Sequence, residues 1–176
     1  MEQFFFLLFE LVIVTKGVSA NKEFAEEAGI KTNTGIIADE NLRTNIKNIF
    51  TAGDVAETMD MVCEAYRVNA LWPVASEQGS IAGLNIAGRK TEYGGSVGMN
   101  SVQFFGANTI SMGLVNPPDN SGYETPVVNK PEQNYYRKIV LKDNIIKGFI
   151  TVGSIINSGV ILSLIKKKTN IEPVKD

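Results

Sequence analysis

A carboxylate set at the end of a short apolar run is the side chain best placed for chemistry in this sequence. Ile49-Phe50-Thr51-Ala52 reads as a strand that breaks at Gly53 and presents Asp54 at its carboxyl end. Open α/β sheets hold ligands at that edge. Glycine there lets the backbone approach a ligand closely, and an aspartate accepts hydrogen bonds from sugar hydroxyls. Downstream, Trp72-Pro73 opens a stretch with no further proline up to Ala87, and proline near the first helical position predicts a helix start. The N-terminus of such a helix offers free N–H groups and partial positive charge to an electron-rich partner. Histidine is absent, which removes the commonest general base and the commonest zinc ligand. The one cysteine, Cys63, cannot close an internal disulfide, which fits a reducing, cytoplasmic setting. No residue is assigned as a metal ligand or as directly catalytic.

Several elements must position these groups. Residues 11–15, Leu-Val-Ile-Val-Thr, followed by Lys16-Gly17, read as a buried parallel strand ending in a tight turn. The apolar stretch of residues 4–14 and the small residues Val18-Ser19-Ala20 imitate a secretory leader. Glu2 stands before that stretch without any Lys or Arg, and Glu10 interrupts it, so the strand reading is preferred. Asn21 is expected to cap a short helix over residues 22–28 that Gly29 stops. Residues 35–39 read as a short strand, and residues 55–70 as a loop with a turn of helix. Ala75, Gly79, Gly83 and Ala87 form a small-residue stripe that predicts close packing of the Pro73 helix. From Ser96 the texture changes. Strands are expected over 102–105 and 109–115, a loop over 116–122, and strands over 135–141 and 145–152 around a Lys142-Asp143-Asn144 turn. A final amphipathic helix over 154–168 ends in Lys166-Lys167-Lys168, read as solvated side chains that complement its dipole.

The run from Thr44 to Asp54 resembles the second flavin-binding motif of the FAD-dependent pyridine nucleotide-disulfide oxidoreductases, T-x-x-x-x-I-F-A-x-G-D, with Thr51 for the usual alanine. Leu71-Trp72-Pro73-Val74-Ala75-Ser76-Glu77-Gln78-Gly79-Ser80-Ile81-Ala82-Gly83 resembles the helix whose amino end points at the flavin ring in that family. Residues 12–21 are similar to the end of the family's NAD domain, and residues from about Gly95 onward to its C-terminal interface domain. The pattern is nearest to rubredoxin and ferredoxin reductases, NADH oxidases and the reductase portion of nitrite reductases.

The resemblance implies FAD as cofactor and NAD(P)H as substrate, with electrons passing to a small redox protein, a disulfide or oxygen. It implies that Asp54 holds the ribityl or pyrophosphate end of FAD while Gly53 gives clearance. It places Pro73 at the helix start, and Gly17 near the dinucleotide path. Trp72 is either an aromatic beside the isoalloxazine or a core residue, and Gln78 either a flavin ligand or a solvated capping side chain. Cys63 matches neither position of the family's redox thiols and is read as structural. The fold implied is mixed α/β and α+β: a partial Rossmann-like FAD/NAD(P)-binding domain over residues 1–95, then an antiparallel sheet with a helix over 96–176. The second domain is expected to form homo-oligomers. The family's two G-x-G-x-x-G units do not occur in this sequence. The chain is therefore expected to be the C-terminal part of such an oxidoreductase, silent by itself. The alternative is a non-catalytic dimerisation or assembly module. A net charge of -2 gives no reason to expect nucleic acid or a membrane as partner.

Overall fold

The computed structural model describes residues 10–174. A three-stranded sheet with a long helix comes first in the chain, and a five-stranded antiparallel sheet with its own helix follows. This is the mixed architecture that the sequence implies. Among the described residues no helix is long and apolar enough to cross a membrane.

The first part begins with α1 (Glu23–Glu27), which buries Ala25 and ends before Gly29. Lys22 rather than Asn21 takes its N-cap position, and no side chain caps it. Strand β1 (Ile36–Ile37) pairs in parallel with β2 (Ala56–Asp60), which pairs antiparallel with β3 (Ala65–Val68). Gly35, just before β1, is required for this approach. A Cβ there would lie 2.5 Å from the Val55 carbonyl oxygen and 2.6 Å from Val68 Cγ2. The helix α2 (Trp72–Ile86) turns Val74, Gln78, Ala82 and Asn85 inward, one residue per turn. Ala82 packs with Ala38, Leu42 and Tyr93 in a small core.

In the second part, β4 (Met99–Phe104), β5 (Ala107–Gly113), β6 (Val127–Lys130), β7 (Tyr135–Lys142) and β8 (Ile145–Gly153) form one sheet in the order β4-β5-β8-β7-β6. Helix α3 (Ser158–Lys166) packs on β8 and β5. The larger core joins Val97, Met112, Leu141, Ile146, Phe149 and Ile165 to Val62, which comes from the β2–β3 turn. One side chain of the first part is thus embedded in the core of the second.

The structure corrects several expectations, and the remainder of the apolar stretch, residues 4–9, lies outside the described residues. Residues 11–15 form no strand, and Leu11, Val12, Ile13 and Val14 are exposed. A parallel strand needs neighbours to satisfy its N–H and C=O groups, and no described strand lies beside these residues. Residues 49–52 make a single bridge, Phe50 to Arg43, because Thr51 N–H donates back to the Leu42 carbonyl at 3.0 Å in a local loop. Residues 55–70 are the β2–β3 hairpin, not a loop with helix. Asp60 shapes its turn by accepting the Val62 and Cys63 N–H groups at 2.9 Å each. The small-residue stripe of α2 does not pack closely, since a Cβ at Gly79 or Gly83 would meet nothing within 4 Å. The buried amides of Gln78 and Asn85 set the helix rotation instead. Helix α3 starts at Ser158, later than expected, because Thr151 Oγ1 donates to the Ser154 carbonyl and Asn157 turns left-handed. Lys168 is not simply solvated, since its ammonium pairs with Glu64 at 2.9 Å.

Glu57, in the middle of β2, is buried and accepts from Asn33 Nδ2 at 2.9 Å and Gly35 N–H at 2.8 Å. Burial pushes its carboxyl up, but the hydrogen bonds from Asn33, Gly35 and Thr34 outweigh burial and hold it below the usual carboxylate range. A depressed folded-state pKa adds stability that is complete above the unfolded pKa of about 4.3 and fades as pH falls through the folded value. Glu57→Gln is expected to cost about 1–3 kcal/mol at neutral pH and to flatten the acid side of a stability–pH profile, as read by urea titration across pH.

Candidate cofactor site

Gly53 and Asp54 occupy the turn that feeds β2. Gly53 is left-handed, at φ 86°, a conformation that strains any side-chain-bearing residue. Its N–H donates 2.8 Å to Gln78 Oε1 on α2, and a Cβ at Gly53 would lie 3.8 Å from the Ala75 Cβ. The turn therefore lies against the first turns of α2. Asp54 is exposed and lines a cavity of about 650 Å³ with Ser19, Thr34, Tyr66, Arg67 and Asn69. Val18 and Ala70 complete the wall, so the segment after Gly17 and the residue before Leu71 meet at the same opening.

Leu71 is the N-cap of α2 and supplies no side-chain cap. The N–H groups of Trp72 and Val74 consequently have no intrahelical acceptor, and Pro73 brings none. Trp72 is 83% exposed, so it is not a core residue. Pro73 faces a smaller cleft of about 150 Å³, shared with Leu71, Val97, Met99 and Leu162 at the joint with the second part. Gln78 is 1% exposed and is neither solvated nor a cap. Gly17 is exposed, left-handed and free of neighbours, beside Val18 at the cavity wall. Gly53, Asp54, Gln78 and the start of α2 are thus brought together, while Gly17 and Trp72 stand clear of other side chains. Tyr66, Arg67 and Asn69 were not anticipated. Residues 65–68, Ala-Tyr-Arg-Val, show no apolar–polar alternation that would have marked them as a strand. No cluster of metal-ligating side chains exists among the described residues.

Comparison with known proteins places these features in context. The family model of the pyridine nucleotide-disulphide oxidoreductases matches residues 7–79, and that of the rubredoxin NAD+ reductase C-terminal domain matches residues 99–169. The epsilon subunit of the NADH-dependent phenylglyoxylate dehydrogenase of Aromatoleum evansii is 27% identical over 168 residues, covering 94% of this chain and 39% of that protein. The CoA-dependent NAD(P)H sulfur oxidoreductase of Pyrococcus furiosus is 34% identical over 118 residues, 65% of this chain and 27% of that protein. The crystal structure of a FAD-dependent pyridine nucleotide-disulphide oxidoreductase from Desulfovibrio vulgaris superposes with a TM-score of 0.79 at 25% identity, over 94% of this chain and 44% of that one. The chain spans less than half the length of each of these three proteins.

Cys63 falls inside the first matched region but has the surroundings of an inert thiol. Burial pushes its pKa up, the negative charge of Asp60 adds to this, and Arg67, whose Nη1 donates to Sγ at 3.3 Å, only partly offsets both. Alkylation by iodoacetamide is expected to be slower than that of free cysteine at neutral pH and to accelerate only above the ordinary thiol range. A rate profile over pH checks this, and a fast reaction at neutral pH would contradict it.

Proposed function

We propose that this chain, whose two parts match the pyridine nucleotide-disulphide oxidoreductase and rubredoxin NAD+ reductase C-terminal models, is the C-terminal part of an NAD(P)H-oxidising flavoenzyme of that family that passes electrons to a small redox protein. The observation that carries this reading is the seating of the Gly53-Asp54 turn against the first two turns of α2, a helix whose N-terminus is uncapped. The donor and acceptor set fits FAD. Asp54 is an exposed acceptor for sugar hydroxyls, Gly53 leaves its side free, and the Trp72 and Val74 N–H groups with the helix dipole suit the electron-rich edge of the ring. When bound, FAD would take two electrons from NAD(P)H and release them to the acceptor.

The residues of this chain would bind and orient. Asp54 fixes one end of the cofactor, α2 stabilises negative charge at the other, and Trp72 is free to cover a ring face. The match of residues 99–169 to a rubredoxin reductase domain supports a small redox protein as acceptor over oxygen or a disulfide. This sequence carries no G-x-G-x-x-G unit to cradle a pyrophosphate, so the isolated chain would not turn over NADH. The unpaired thiol of Cys63 supports a cytoplasmic setting.

A second reading has its own observation. Leu11, Val12, Ile13 and Val14 are exposed, and so are Val102, Phe104, Phe105, Val127 and Val128 on β4, on β6 and at the β4–β5 turn. Apolar surface of this kind supports association, and the C-terminal sheet would make the homo-oligomeric contact. A sedimentation mass that rises with concentration, without flavin, would favour a non-catalytic assembly module.

FAD added to the purified chain is expected to bind without bleaching when NADH follows, and Asp54→Ala should weaken binding about tenfold through loss of a charged acceptor. Visible absorbance and flavin fluorescence read both. Bleaching by NADH would show the isolated chain to be active, and unchanged affinity in Asp54→Ala would remove Asp54 from the site.

A further inference from the structure

We infer that Gln78 is a positioning residue, whose side-chain amide holds the Gly53-Asp54 turn at a fixed separation from the N-terminus of α2 instead of touching the cofactor. This rests on the flavin reading above. Glutamine is a residue of surfaces, yet this one is 1% exposed, so its burial needs a reason. Every polar atom of its side chain is engaged. Oε1 accepts the Gly53 N–H at 2.8 Å, and Nε2 donates to Thr58 Oγ1 at 3.1 Å and reaches the Tyr93 hydroxyl at 3.5 Å. The turn, the strand β2 that it feeds and the chain after α2 therefore meet on one planar amide.

The chemistry of the position admits few substitutes. The Gly53 N–H needs an acceptor, whereas the two hydroxyls accept from Nε2. A primary amide supplies both functions on one rigid group. Gln78 also lies one helical turn beyond Val74, which carries one of the free N–H groups at the start of α2. Sliding or rotating α2 would break the bond to Gly53, so that bond ties the helix-end donors to the Asp54 carboxylate. Apart from it, the turn is closed by the Ala56 N–H bond to the Gly53 carbonyl at 2.9 Å. A cofactor that spans Asp54 and the α2 N-terminus requires both at once, and Gln78 sets the distance between them. Without it, the free turn would sample several positions, and binding would bear the entropy of ordering it.

The test uses the full chain, Gln78→Met as a similarly long side chain that cannot pair, and Gln78→Glu as the conservative variant. Backbone amide exchange at residues 53–55, compared with β7 and β8, reads the turn, and flavin fluorescence with FAD as the probe reads binding. In Gln78→Met, exchange at 53–55 and the FAD Kd should each rise about tenfold or more while β7 and β8 keep their protection. In Gln78→Glu the carboxyl still accepts the Gly53 N–H, so exchange at 53–55 and the FAD Kd should stay nearer to wild type than in Gln78→Met. Unchanged exchange and affinity in Gln78→Met, or an equal loss of protection in β8, would overturn the inference. A wild-type chain that binds no FAD would sink the flavin reading. The exchange pattern alone would then decide the positioning role.

Discussion

Three polar side chains buried along one five-residue strand govern the first half of this protein. Glu57, Thr58 and Asp60 of β2 all lie inside, and each unmet hydrogen bond there would cost about 1–3 kcal/mol. The surrounding chain is arranged around their needs. Asn33 and Gly35 come to Glu57, Gln78 comes to Thr58, and Val62, Cys63 and Asn69 come to Asp60. Hydrophobic burial in this half is modest, a small core around Leu42 and Tyr93. Specificity of the local fold comes from polar satisfaction, which is directional, more than from apolar area, which is not.

The same accounting explains how the two halves are joined. Asn69 Nδ2 donates to both Asp60 Oδ2 and Ser96 Oγ, and the Ser96 N–H bonds the Met59 carbonyl at 3.0 Å, so the chain entering the second sheet is tied to β2. Val62 then inserts beside Phe149 and Ile165. Glu64, one turn away, faces both Lys147 and Lys168 at the surface. Exposed pairs of this sort contribute little, about 0–1 kcal/mol each, while a fully buried valine contributes about 1.5–3 kcal/mol. The joint is therefore mainly apolar and hydrogen-bonded, with the charges as a rim.

This division marks what the sequence could disclose. The hairpins of the second sheet are legible because Tyr135 to Leu141 and Ile145 to Val152 are rich in β-branched and aromatic residues around a turn whose composition is diagnostic. The start of α2 is legible from Pro73. The β2–β3 hairpin is not, because its inward residues are polar and the alternation runs against the usual rule. Residues 11–15 show the opposite error. Their composition is that of a buried strand, but strand formation needs a neighbouring ladder, which composition cannot report. At the site, Gly53-Asp54 stands out as a motif. Gln78 belongs to the resembling stretch 71–83, but its bond to Gly53, 25 residues away at 2.8 Å, is visible only in the fold. Strand β6 is hidden by Pro126 and Pro131 at its two ends, which read as loop.

The start of α2 shows how little separates a structural helix end from a binding one. Most helices close their first turn with Ser, Thr, Asp or Asn, a cap worth about 1 kcal/mol. Here the position is Leu71, the first turn contains no acidic residue, and a tryptophan stands exposed beside it. Stability alone would favour a capping side chain at 71 and a smaller, polar residue at 72. The uncapped end keeps its N–H groups and its partial positive charge available, and the neighbouring turn keeps a glycine in a left-handed conformation with an exposed carboxylate one residue on. The uncapped end sacrifices local stability, whereas the glycine is what its left-handed turn requires. Under the function proposed above, both leave groups that would complement different parts of one elongated, electron-rich ligand. The uncapped end, tied to that turn through the Gln78 bond, is the departure for which the proposed ligand would account.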